Sequence, residues 1–369
     1  MINPFYEKLA KLAVNYSLNV KEGDRVFIQG LTIAEELFQA LYVEILKAGG
    51  HPTCLVRIEG QEEFMYKYAS KEQLEYVDDF KKAALREIDC LIEIFADYNP
   101  KKLSTVDPSL IATARGSSNR LEIIKTLMAR MDSGELRYLV VPFPSHAFAQ
   151  EANMDLYSYT EFVKNALLFH KEDPLKEWQE IDQKQEKICN YLNNVDQIQV
   201  LGEDTDLSLS VKGRKWVNCC GHVNLPDGEV FTGPIEDSVN GHIRFTFPGF
   251  YEGKEIEDIS LTFKDGKVVK ATAKKGEELL HEILAIENAD RLGEFAVGTN
   301  YGIQKFTKNM LFDEKLGGTL HCAIGAGLPE TGSQNHCPIH WDILKDLKTP
   351  GSKIIADGKV IYEEGKWLI

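Results

Sequence analysis

The sequence predicts an α/β protein in two parts, an N-terminal parallel-sheet α/β domain over residues 1–170 and a mostly antiparallel α+β domain over residues 171–369. Three observations predict it. The first 170 residues alternate short apolar runs with longer amphipathic ones, the texture of strands and helices wound into a parallel sheet. Beyond residue 193 the segments are strand-length and alternate or run apolar. Asp265-Gly266 and Asp357-Gly358 each join two such runs, a pair suited to two-residue hairpin turns.

Taken in order, "DRVFIQG" (24–30) reads as a buried strand, "TIAEELFQALYVEILKAGG" (32–50) as a helix closed by Gly49 and Gly50, and "PTCLVRI" (52–58) as the next strand. The alternation continues with "KEQLEYVDDFKKAAL" as one helix, "DCLIEIFA" as strand, "NRLEIIKTLMARM" as helix and "RYLVVPF" as strand. Residues 158–193 are polar with helical period and connect the two halves. "TDLSLSVKG", "RKWVNC", "HIRFTFPG", "ISLTFKDGKVVKATAKK" and "SKIIADGKVIYEEGKW" then read as strands, with one helix, "GEELLHEILAIEN", among them. Gly30 stands alone after the first strand, so neither a dinucleotide fingerprint nor a P-loop is present.

Composition excludes several functions. With Lys+Arg 42 against Asp+Glu 57 the formal net charge is -15, which opposes nonspecific binding to nucleic acid and favours cations as partners. No apolar run approaches the roughly 20 residues that span a bilayer. Glu7, Lys8 and Lys11 interrupt the first apolar stretch at helical spacing, unlike a signal peptide, and a cytoplasmic location is expected. The seven cysteines are scattered without a C-x-x-C pair, so they are expected to be buried thiols rather than a disulfide or zinc framework.

Four short segments carry ligand-type side chains. "PDGEVFTGP" puts Glu229 at the first residue of a strand after a turn. "LGEFAVG" puts Glu294, Ala296 and Gly298 on one face if extended, and "GGTLHCAIG" does the same with His321, Ala323 and Gly325. In "NHCPIHWDIL" an extended chain aims His340 and Asp342 to one side and Trp341 to the other. Small residues beside each polar one leave room for an ion or a substrate. Taken singly, Glu229 reads as a solvated turn residue, His321 as a core histidine and Asp313-Glu314 as a solvated pair, whereas Glu294 in apolar company needs a partner.

Together, "NLPDGEVFTGPIEDSVNG", "RLGEFAVGTN", "LFDEKLGGTLHCAIG" and "IHWDIL", with "FPSHAFAQEANMDLYSYTEFV" in the first half, resemble the signature segments of the thermophilic-aminopeptidase family of dinuclear metallopeptidases, the M29 group. The resemblance spans nearly the whole chain. It implies Glu229, Glu294, Glu314, His321, His340 and Asp342 as metal ligands, although Glu314 lies seven residues before His321, farther than in the family pattern. The family has a tyrosine shortly after the strand histidine where this chain reads Leu328. A C-terminal catalytic metal-binding domain, a homodimer and short peptide substrates are further implications.

Four clustered carboxylates repel one another, and two divalent cations cancel that charge. Carboxylate and imidazole ligands suit Zn, Co or Mn. Such a pair, about 3.5–4 Å apart, acidifies a water and polarises a carbonyl, which is the chemistry of peptide hydrolysis. The substrate's ammonium group would pair with Glu236 or Asp237, equally readable as part of a turn or cap. No general base is assigned; His336 and Glu330 in "GLPETGSQNHC" are the available groups. The expected function is a metal-dependent aminopeptidase acting on short peptides. Alternatives are a dinuclear amidase or dipeptidase acting on another small amide, and a non-catalytic metal- or ligand-binding protein on the same scaffold.

Overall fold

A computed structural model describes residues 2–369. The chain divides into two compact units, one of residues 1–175 with 221–226, the other of residues 176–220 with 227–369.

The first unit is built on four parallel strands in the order His51–Arg57, Arg25–Leu31, Cys90–Phe95, Arg137–Pro142. Central strands buried on both faces read as continuous apolar runs. Val26, Phe27, Ile28, Leu91, Ile92 and Ile94 are all buried accordingly, whereas the edge strand His51–Arg57 is largely exposed. The helix Glu35–Lys47 closes on Gly49 in the left-handed region (φ +84°), as its glycine pair predicts.

The single helix expected over residues 71–85 is instead two, Lys71–Glu75 and Asp79–Glu87. The reason is local. Ser70 and Gln73 form a reciprocal capping box for the first, and the Asp78 carboxylate accepts from the Phe80 and Lys81 amides to start the second. Asp78 gives the backbone a better partner at a helix start than in a helix interior.

The second unit carries an eight-stranded sheet in the order 267–272, 260–264, 240–244, 205–210, 197–202, 353–356, 359–363, 366–367, antiparallel throughout. Both predicted hairpins form: Asp265 and Gly266 have φ +50° and +79°, Asp357 and Gly358 +46° and +82°, so each turn has two central residues in the left-handed region. A second antiparallel sheet of five strands runs His340–Asp346, Thr319–Gly325, Leu292–Gly298, Glu229–Thr232, Val217–Cys219.

One apolar core joins the two sheets. Val200, Leu207, Ile243 and Phe263 from the larger meet Phe295, Val297, Leu320, Ile324 and Ile343 from the smaller, with Ile188 and Leu192 of the helix Pro174–Leu192. The other face of the five-stranded sheet carries Glu229, Glu294, His321, His340 and Asp342. Alternation along each strand makes that division, because a side chain on one face excludes its neighbours from it.

Candidate metal centre

Register brings these side chains together. Glu294 is paired with Ala323, which is paired on its other side with Asp342. His321 lies opposite Ala296, His340 opposite Gly325, and Glu229 opposite Gly298. Each ligand-type residue therefore faces a small residue on the adjacent strand. Gly325 has φ +96°, and a Cβ there or at Gly298 would collide with the Ile339 or Leu316 carbonyl. Backbone approach, more than side-chain room, is what demands glycine at those two positions.

Three overlapping groups have ligand atoms within 4.8 Å of one another: Glu229, Glu294 and His321; Glu314, His321 and Asp342; Glu294, His340 and Asp342. Glu294 belongs to two of them. His321 Nε2 lies 3.3 Å from Glu229 Oε2 and 3.6 Å from Glu294 Oε1, while His340 Nε2 lies 3.0 Å from Glu294 Oε2 and 3.5 Å from Asp342 Oδ1. His340 Nδ1 sits 2.8 Å from the Ala326 carbonyl. Donating there fixes the ring with Nε2 toward the carboxylates, the usual orientation of a ligating histidine.

Glu314 reaches the cluster in spite of its spacing. It follows the short helix Met310–Asp313, and the chain then folds beside Asn300, whose amide donates to the Lys315 carbonyl and whose carbonyl accepts from Gly317. That turn brings Glu314 within 4.8 Å of His321 and Asp342. Asp313 and Glu314 are not a solvated pair: Asp313 is fully buried and accepts from the Thr307 amide (2.7 Å), the Thr307 hydroxyl (2.9 Å) and the Asn309 amide (3.0 Å). Glu229 is also buried, and not a solvated turn residue.

The electrostatics are those of crowded acids. Burial pushes the Glu229 carboxyl up to about 7, opposed by Lys315 and reinforced by Glu314. Burial likewise raises Glu314, with Lys315 opposing and Asp342 adding to the rise. Burial also opposes charge on Glu294, yet hydrogen bonds from His321 and His340 hold it down at about 2. Burial disfavours both imidazolium ions, but Glu294 lifts His321 to about 9, and Asp342 and Glu294 lift His340 to about 11. Protons here offset charge that bound divalent cations would also offset. Glu229 Oε2, His321 Nδ1 and Asp342 Oδ1 are buried without a hydrogen-bond partner. Orphaned buried polar atoms amid carboxylates and imidazoles fit divalent cations as ligands.

The remaining sequence candidates stand differently. Glu236 is engaged on both oxygens, by Arg214 at 2.6 Å and by the Gln334 amide at 2.6 Å, and Asp237 is exposed. His336 and Glu330 are exposed, and Leu328 is half-buried, its carbonyl capping Thr331. The cysteines are all free, but Cys54 is exposed and Cys219 lies within 4.8 Å of Asp227 and Glu229, so they are not uniformly inert core residues.

Sequence reading missed two polar residues of the centre. Gln185, 2% exposed, directs its amide nitrogen at Asn218 Oδ1 and the Cys219 and Glu229 carbonyls and accepts from the Thr299 hydroxyl, fixing the backbone under Glu229. Lys315, 1% exposed, bonds Glu229 and Glu314. The only sequence signal for Lys315 is a cation directly beside Glu314; Gln185 has none.

The thermophilic metalloprotease model, M29, matches residues 3–367. The chain belongs to the M29 family. This M29 protein is 27% identical to aminopeptidase 2 of Geobacillus stearothermophilus, over 98% of this chain and 97% of that protein. It is 29% identical to aminopeptidase PepS of Streptococcus thermophilus, over 98% of each. Among solved structures it matches wild-type AmpT from Thermus thermophilus with a TM-score of 0.85 at 23% identity, covering 99% of both chains. It also matches 2,5-dihydroxypyridine dioxygenase from Pseudomonas putida KT2440, with a TM-score of 0.61 at 15% identity over 99% of this chain and 96% of that one. The fold thus hosts more than one chemistry, and the M29 assignment rests on the family match. Among the described residues no helix is long and apolar enough to cross a membrane.

Proposed function

We propose that this M29 protein is a metalloaminopeptidase that removes amino-terminal residues from short peptides, using two divalent cations held by Glu229, Glu294, Glu314, His321, His340 and Asp342. The observation that carries the reading is the position of Glu294, common to a group with Glu229 and His321 and to a group with His340 and Asp342, each within 4.8 Å. Glu294 has one oxygen toward each histidine and would help to hold a cation on either side. Cations bound there supply an acidified water and Lewis-acid polarisation of the scissile carbonyl. The chain's own groups do the rest. His340 presents Nε2 because Nδ1 is tied to Ala326, and Gln185 holds the strand that carries Glu229. In this reading the substrate's ammonium is recognised by Asp237, or by Glu236 if it releases a partner.

Zinc, cobalt and manganese all match the donor set. The names of the relatives support the aminopeptidase reading over the amidase and non-catalytic ones. A homodimer belongs to the same proposal and is measured by light scattering. The deciding experiment digests a peptide library with chelator-treated protein reloaded with each metal in turn. Stepwise loss of amino-terminal residues supports the reading. Release only from amino-terminally blocked substrates points to the amidase, and tight metal binding with no hydrolysis to the non-catalytic protein.

A further inference from the structure

Lys315 is one of the largest fully buried side chains in the protein and the cation of this cluster that is not a histidine. Its Nζ lies 2.5 Å from Glu229 Oε1, 2.6 Å from Glu314 Oε1 and 3.8 Å from Asp227 Oδ1. Cys219, Asp227 and Glu229 form a ligand-type group of their own, and the ammonium sits against both of its carboxylates. A position otherwise suited to a cation is thus supplied by the chain itself. The contacts are one-sided. Glu229 and Glu314, which neighbour His321, each give an oxygen to Lys315, whereas Glu294, His340 and Asp342 make no ion pair with it.

We infer that Lys315 is a built-in cation that weakens the metal site on the His321 side relative to the site on the His340 side, making the ion beside His321 the exchangeable one of the pair. The inference rests on the two-metal reading above. Its physical basis is repulsion between an ammonium and a dication that share buried carboxylates, where water screens little. Charge balance points the same way. Asp227, Glu229, Glu294, Glu314 and Asp342 carry charge that two divalent cations and one ammonium neutralise together. Removing the ammonium leaves a surplus negative charge nearest His321, which a dication would bind more tightly. A purely positioning role predicts the opposite, because losing the hydrogen bonds to Glu229 and Glu314 would loosen both ligands.

Two variants separate charge from positioning. Lys315→Gln keeps an amide donor for the two glutamates and removes the charge; Lys315→Met removes both. Chelator-stripped wild type and variants, each verified as folded by a cooperative thermal melt, are titrated calorimetrically with zinc alone. The expected wild-type isotherm has a tight and a weaker equivalent. In Lys315→Gln the weaker equivalent tightens by about tenfold or more while the tight one stays within about twofold, as removal of a nearby like charge demands. An unchanged or weakened second equivalent in Lys315→Gln, with two ions still bound by wild type, overturns the inference and leaves the two-metal reading standing. A single equivalent in every protein overturns both. Should Lys315→Met not fold, Lys315→Gln alone decides the matter.

Discussion

Glu294 and His340 stand 46 positions apart in the chain, yet His340 Nε2 lies 3.0 Å from Glu294 Oε2, although their strands are not neighbours in the sheet. The intervening strand makes this contact possible. Its residue between Glu294 and Asp342 is Ala323, and its partner to His340 is Gly325. Side chains on the outer strands can therefore lean across a residue with little or no side chain.

Glu294→Gln tests the shared carboxylate. The amide keeps the shape but removes a charge common to both ligand groups, and its NH2 cannot ligate. Activity on an amino-acyl anilide should fall by more than the 10–100-fold typical of outer-shell partners of a metal. Bound metal, measured by elemental analysis, should fall with it. Full activity in this variant would remove Glu294 from the proposal.

Ala323→Leu tests the gap itself. A branched side chain between Glu294 and Asp342 would force the two carboxylates apart at an overpacking cost of about 1–3 kcal/mol. Metal affinity should drop by more than this loss of stability, because leucine fills the ligand space while the apolar face of the strand stays packed. Comparison of a urea melt with a zinc titration measures both.

Without bound cations, stability should depend steeply on pH. Without cations, His321 and His340 are raised from 6.5 to about 9 and about 11, so their contribution is complete below about 6.5 and is lost as pH rises through those values. Glu229, raised from 4.5 to about 7, adds a loss of the same sign between those two values. Glu294, lowered from 4.5 to about 2, contributes above about 4.5 and loses that only in strong acid. The thermal midpoint of chelator-stripped protein should thus fall between about pH 6 and about pH 10, and zinc should flatten the fall. A midpoint rising over that range would contradict the charge arrangement.

Asp313→Ala tests the loop ahead of the centre. It deletes an acceptor of three hydrogen bonds at a fully buried site and strands the Thr307 and Asn309 amides. Hydrogen bonds to a carboxylate of this kind are worth about 1.5–3 kcal/mol, so unfolding free energy should fall by roughly 2–3 kcal/mol. Chemical denaturation measures it. The accompanying loss of zinc affinity reports how firmly Asp313 holds the chain next to Glu314.

Much of this was legible because period carries it. Alternation in "LGEFAVG" and "TLHCAIG" puts Phe295, Val297, Leu320 and Ile324 in the core and leaves Glu294 and His321 opposite, whatever the partner strand. The Asp-Gly turns dictate their hairpins through backbone angles those residues tolerate. Such signals are local, and the chain determines them by itself: the two sheet types, the apolar faces and the ligand-type residues on the other face. What only the tertiary structure decided is non-local. The order of the five strands, the register that pairs Ala323 with both Glu294 and Asp342, the fold beside Asn300 that carries Glu314 into range, and the burial of Lys315 all depend on contacts between distant segments. Lysine is ordinarily a surface residue, and its burial here requires carboxylates contributed by Asp227 and Glu229 as well as its neighbour Glu314. No property of the Lys315 segment alone brings those groups to it.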